Sequence, residues 1–266
     1  MPEIEPFSSR PVSRRAFFEH TTALALASLA TARAAKAAPQ QDPAPAQPPL
    51  RVRIWCEGTA PRNIYPDDID GAVSQALQGQ ADIQFSTARL DQPDAGLPDA
   101  ILQQTDVLVW WGRLKHENVP NDRSDAIVKA VRAGTLGLIA LHGSYASKPF
   151  QALMGKPCEP KSWRDEGQPE RIAIQTPDHP IARGVEPFTI PRTQMFAEPF
   201  EVPTPETVVL LSTWETGESF RSGLTWTVEK GRVAYLRPGD ESFPVLFHPS
   251  IKQVLLNSVR WAGKRI

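Results

Sequence analysis

Two of the five histidines stand in the polar stretches that follow short apolar runs, which is where site residues are expected first. Residues 106–110 are a nearly unbroken apolar run that leaves through Gly112 onto Arg113, Lys115, His116 and Glu117. Residues 136–141 are a second such run, leaving onto His142, Gly143, Ser144 and Tyr145. Two imidazoles at the ends of adjacent strands can share one crevice, where they would divide acid and base roles or ligate a metal. A buried, hydrogen-bonded histidine is the competing reading for each. A third polar exit, Arg237-Pro238-Gly239-Asp240-Glu241, follows residues 232–236. Glu198 is set among Met195, Phe196, Pro199 and Phe200. Apolar surroundings raise a carboxyl pKa and suit acid–base work, and an ion pair with an arginine is the alternative.

Nucleophilic chemistry is less well supplied. Ser144 lies in HGSYA, which lacks the glycines of a G-x-S-x-G elbow. Cys56 ends a strand with no basic neighbour in sequence to lower its pKa. His20, His179 and His248 read as leader, turn and helix-cap residues.

The elements that must hold these residues follow from hydrophobic period. Strands are expected over 51–56, 82–87, 106–110 and 136–141, with helices over 69–77, 98–104 and 124–132 between them. Asn121 or Asp122 would cap the third helix and Gly134 would stop it. Strand and helix in alternation imply parallel pairing through right-handed crossovers, hence a doubly wound, mainly parallel α/β sheet with helices on both faces. In such sheets ligands collect outside the carboxyl ends of the strands, where the polar exits stand.

Beyond residue 150 the rhythm changes. Residues 157–169 read as a polar loop and 171–175 as a short strand. Residues 208–213, 224–228 and 232–236 read as strands, the last two forming an extra β-hairpin through Glu229-Lys230-Gly231. From Pro249, the positions Ile251, Val254, Leu255, Ser258, Val259 and Ala262 make an amphipathic helix closed at Gly263.

A formal charge of -1 and a pI near 6.5 give no basic excess for nucleic acid. Ser13-Arg14-Arg15-Ala16-Phe17-Phe18 resembles the twin-arginine export motif, and a modest apolar stretch follows it. Ala35-Lys36-Ala37 fits the cleavage pattern, with Ala32-Arg33-Ala34 as the other choice. Residues 1–37 are thus expected to be a signal peptide for periplasmic or secreted export, 38–49 a Pro-rich linker, and 50–266 one domain. No segment has the roughly 20 apolar residues of a membrane span. Cys56 and Cys158 would meet an oxidising compartment in which they could pair. No Cys/His spacing fits a zinc knuckle.

Together the motifs resemble the ThuA-like (trehalose utilisation) family. Those that carry the resemblance are Ile64-Tyr65-Pro66, residues 105–112 (TDVLVWWG), Leu141-His142-Gly143-Ser144, Leu153-Met154-Gly155, Trp163-Arg164-Asp165-Glu166, Asp178-His179-Pro180-Ile181, Glu198-Pro199-Phe200, Phe220-Arg221-Ser222-Gly223 and Arg237-Pro238-Gly239. The resemblance implies a flavodoxin-like fold similar to class I glutamine amidotransferases. It also implies a role in sugar catabolism, with an oxidised disaccharide or glycoside, such as a 3-keto form, as substrate class.

On that basis His116, His142 and Glu198 are the expected catalytic residues. Trp111, as a sugar-stacking face, joins Arg113, Arg164 and Glu241 as substrate contacts. His116, His142, Asp70 and Asp240 are the expected ligands of a divalent metal such as zinc, if one is bound. His142 stands where amidotransferases carry their nucleophilic cysteine, which argues against a glutaminase. Several family histidines are replaced, by Arg113, Asp70 and Asp240, so a carbohydrate-binding or accessory protein is the alternative. The sequence is compatible with a homo-oligomer.

Overall fold

The computed structural model describes residues 47–266. The expected signal peptide and nearly all of the linker lie outside these residues. Nine strands form one sheet: β1 (Leu50–Cys56), β2 (Ile83–Arg89), β3 (Val107–Trp111), β4 (Gly137–Leu141), β5 (Pro160–Ile174), β6 (Phe188–Phe200), β7 (Thr207–Thr213), β8 (Ser219–Val228) and β9 (Gly231–Leu236). Among the described residues five α-helices accompany them: α1 (Asp68–Leu77), α2 (Asp99–Gln103), α3 (Asn121–Ala133), α4 (Lys148–Met154) and α5 (Pro249–Ala262).

The sheet runs β2-β1-β3-β4-β9-β8-β7-β5-β6. The pairings from β2 through to β9 are parallel, and those from β9 to β6 antiparallel. This corrects the expectation of a mainly parallel sheet, which describes only one half. The expected hairpin is present as β8 and β9, but β9 also lies parallel to β4 and so joins the two halves.

Every residue of β3 and β4 is buried. Such strands can be apolar throughout only where both faces are covered. Helices α1 and α5 pack on one face with Val52, Ile54, Val109 and Ile139, whereas α3 and α4 pack on the other with Trp55, Leu108, Trp110 and Leu138. The six core positions read from the α5 pattern are all buried. Gly134 closes α3 in the left-handed conformation (φ 76°), but Pro120 precedes the helix and no side chain caps it.

The largest departure is over residues 157–169, where a polar loop was expected. Most of that stretch belongs to β5, which pairs with β6 from Pro160 to Ile172 and with β7 only from Arg171 onward. The first part of β5 is therefore a two-stranded ribbon beyond the sheet, with little core to demand apolar alternation. Cys56 and Cys158 are both buried free thiols, one in each core, so no disulfide joins them. No helix of the described residues is long and apolar enough to cross a membrane.

Candidate active site

The carboxyl ends of β1, β3, β4 and β9 lie side by side, and their exits cross at close range. A Cβ on Gly143 would come 2.9 Å from the Gly112 carbonyl oxygen and 3.3 Å from Arg113 Cα, so only glycine lets the two loops approach this closely. Ser144 stitches the crossing: its Oγ accepts from the Gly112 amide (2.9 Å) and donates to the Trp110 carbonyl (3.0 Å). Both of these bonds are structural, which leaves the nucleophilic reading of Ser144 without support. The Cys56 thiol is likewise pushed far up by burial and by the nearby carboxylates of Asp70 and Asp68.

His142 takes the first position after β4 at φ 52°, a conformation that costs a non-glycine residue energy and recurs at functional sites. It is 1 % exposed. Its Nδ1 lies 3.2 Å from the Arg237 carbonyl oxygen. A carbonyl can only accept, so Nδ1 carries the proton and Nε2 keeps its lone pair. That Nε2 lies 3.7 Å from Glu241 Oε2. Burial, reinforced by the positive charge of Arg237, drives the His142 pKa down to about 3, so the ring is neutral at neutral pH.

Glu241 is the complementary case. Burial pushes its carboxyl up to about 7 although Arg113 pulls the other way. Arg113 and Glu241 form an ion pair. Asp240 beside it is fully buried, accepting from the amides of Gln194 and Ser242, each at 2.7 Å. Burial raises its pKa as well. The loop that carries both acids is pinned from below. Trp111 Nε1 donates to the Gly239 carbonyl (2.8 Å), and the single proton of the Tyr65 hydroxyl lies between the carbonyls of Asp240 (2.9 Å) and Phe243 (2.8 Å). Underneath, the fully buried Arg237 forms an ion pair with Glu170 and donates to the Gln194 carbonyl at 2.7 Å.

The expected residues thus divide into groups. His142, Asp240, Glu241 and Arg113 come together. His116 is half-buried in a short 3-10 turn and faces Glu57 (Nδ1 to Oε1, 3.7 Å), whose carboxylate accepts the amides of Leu114 (2.8 Å) and Lys115 (2.9 Å). Burial lowers the His116 pKa.

Asp70 does not join His142. It is held by Arg89 through two bonds (2.8 and 3.1 Å) and sits with Cys56 and Asp68. The expected four-ligand set of His116, His142, Asp70 and Asp240 is corrected accordingly: among the described residues, His142 and Asp240 meet Glu241 instead.

Glu198 forks onto Arg221 (2.8 and 3.0 Å) and accepts the Arg221 and Phe200 amides. These bonds outweigh burial and lower its pKa, where apolar neighbours had suggested a rise. Trp111 is buried and cannot offer a stacking face. Arg164 pairs with Glu218 (2.7 Å) and Glu166 (3.0 Å) on the β5 ribbon.

One residue of the rim escaped sequence reasoning. Trp163 is 50 % exposed in the first part of β5, with the Arg113 guanidinium 5.8 Å from its ring centre. Asp165 of the same ribbon accepts from Ser242 (3.1 Å), next to Glu241, which holds the ribbon against the acid loop. The only sequence signal was the WRDE motif itself. Gln194, whose backbone N–H donates to Asp240, gave none.

The family model described as ThuA, trehalose utilisation, matches residues 51–262. The chain belongs to the ThuA family. A putative ThuA-like protein from Bacteroides uniformis is similar in structure, with TM-score 0.60 at 14 % identity, over 82 % of this chain and 93 % of the other. One from Parabacteroides merdae gives TM-score 0.61 at 10 % identity, over 82 % and 91 %. A putative GMP synthase component from Thermoplasma acidophilum gives 0.50 at 12 % identity, over 83 % and 97 %, in line with an amidotransferase-like fold. Among curated proteins no match was found.

Proposed function

We propose that this protein acts on a disaccharide or glycoside, including 3-keto forms, by acid–base chemistry in the crevice formed by Arg113, His142, Asp240 and Glu241. The observation that carries the reading is the split pair: Glu241 pushed up to about 7 beside a His142 pushed down to about 3. Two titratable neighbours driven apart are the mark of assigned acid and base roles. Near neutral pH, Glu241 exists in both protonation states and can donate to a glycosidic oxygen or take a proton from a sugar carbon or hydroxyl. His142 Nε2, unprotonated, accepts. Arg113 orients Glu241 and offers its remaining donors to substrate oxygens, and Trp163 supplies an exposed ring at the rim. His116 and Glu198 have no assigned step in this reading.

A cation at this crevice would face competition. Arg113 already engages Glu241, and two backbone amides occupy the Asp240 carboxylate. Asp240 is thus committed, whereas Glu241 Oε2 and His142 Nε2 keep lone pairs 3.7 Å apart, between which a proton can move.

The test is steady-state turnover of 3-keto-disaccharides by the wild type and by Glu241→Gln. Turnover that collapses in a folded variant supports the reading. Sugar binding without turnover in the wild type would replace it with the accessory-protein reading, which the Arg113–Glu241 clamp across the crevice favours. The leader motif supports export by the twin-arginine route, and fractionation with N-terminal sequencing of the mature chain tests that.

A further inference from the structure

A second buried cluster lies at the end of β1, where the chain enters α1. Cys56 Sγ is 3.5 Å from Asp70 Oδ1 and 3.7 Å from Asp68 Oδ1, and the three offered donor atoms lie within 4.8 Å of one another. Asp68 is 1 % exposed. Its Oδ1 accepts the Ile69 amide (2.8 Å), while Oδ2 of the same carboxylate is buried with no hydrogen-bond partner. A buried carboxylate oxygen without a donor is costly, and a cation is one remedy.

We propose that Cys56, Asp68 and Asp70 form a binding site for a single thiolate-preferring divalent cation of the zinc type. The spacing fits. Tetrahedral zinc with Zn–S of about 2.3 Å and Zn–O of about 2.0 Å places a sulfur and an oxygen roughly 3.5 Å apart, which matches both separations here. Charge fits as well. Binding releases the thiol proton, leaving a thiolate and two carboxylates, and the Arg89 guanidinium on Asp70 offsets one of these three charges. The remaining two match a dication. Soft sulfur in the donor set selects zinc or cobalt over magnesium or calcium. The site would clasp the start of α1 to the β1 end, one residue before Glu57. It is independent of the acid–base reading, since it shares no residue with that crevice.

The cobalt spectrum of the full chain tests it. Titration of the metal-stripped protein with Co2+ is expected to produce a thiolate-to-cobalt charge-transfer band that saturates at one equivalent and is displaced by Zn2+. Cys56→Ser should abolish the band. Asp68→Asn keeps the thiol and should weaken binding by about tenfold or more. Glu241→Gln should leave the band intact. No band under excess Co2+, or a band that survives Cys56→Ser, would overturn the proposal and leave the thiol as a plain hydrogen-bond donor beside two carboxylates. If Cys56→Ser fails to fold, unchanged affinity in Asp68→Asn overturns it equally.

Discussion

Two clusters of acids, both buried at the carboxyl ends of parallel strands, differ in what their free atoms do. In the crevice cluster two amides hold Asp240 and Arg113 forms an ion pair with Glu241, whose two oxygens take part in no hydrogen bond. What remains variable there is a proton, because Glu241 titrates near neutrality and His142 does not. In the Cys56 cluster, Arg89 secures Asp70, and what remains open is an oxygen of Asp68. Similar residue types in similar burial thus become a proton-transfer site or a candidate ligand set according to what stands beside the open oxygens, a neutral imidazole in one and a thiol in the other.

The sharpest way to break this contrast is Glu241→Gln, which keeps shape and removes the titrating group. Turnover of a 3-keto-disaccharide should fall by about 10²- to 10⁴-fold, the usual weight of a positioned acid–base group, in a variant that still folds cooperatively. Next in size is the support beneath the crevice. Arg237→Met leaves Glu170 buried and unpaired, and unfolding in denaturant should show a loss of roughly 3–5 kcal/mol. Replacing both by methionine should recover much of it.

The pH dependence separates the two crevice groups. His142, lowered in the fold, favours the folded state above its unfolded value near 6.5, and that contribution is lost as pH falls toward about 3. Glu241, raised in the fold, contributes fully below its ordinary value near 4.5 and loses that contribution as pH rises toward about 7. The two slopes oppose each other from about pH 4.5 to 6.5. Stability curves should therefore show Glu241→Gln flattening the loss on the neutral side and His142→Ala flattening the loss below pH 4.5. A pair of variants with the same pH slope as the wild type would refute both assignments. The smallest effect concerns the rim: Trp163→Ala should raise KM for the sugar by roughly tenfold, about 1.4 kcal/mol, and leave kcat largely intact.

The parallel half was readable because burial on both faces forces an unmistakable pattern. The apolar runs that became β3 and β4, and the 3.6-residue period that became α5, leave little choice of structure. The ribbon formed by β5 and β6 was not readable for the converse reason. Pro160, Gly167 and Pro169, mixed with charged residues, look like a loop, and the register shifts between Arg164 and Gln168 interrupt any alternation that remains.

For the site, the strand exits bearing His142, Asp240 and Glu241 were each legible, but their convergence was not. It depends on β9 inserting parallel to β4, which a hairpin strand does not announce. Asp70 stood on the correct edge of the sheet, but nothing in the spacing told that Arg89 and Cys56 would claim it. Glu198 showed the limit of reading polarity from sequence neighbours: alternate residues of a strand point to opposite faces, so the apolar residues beside it said little about the arginine across from it.

The position of β9 also governs how the chain can assemble. It is the last strand to be synthesised and yet lies in the middle of the sheet, with Leu138 of β4 paired to Val233 nearly a hundred residues later. Until it arrives, the five-stranded parallel layer lacks its border member and the antiparallel layer has nothing to lean on. Pairings this distant in sequence slow folding, so a ribosome-bound chain ending before residue 231 would carry two open sheet edges, each a template for a chaperone or for another unfinished copy.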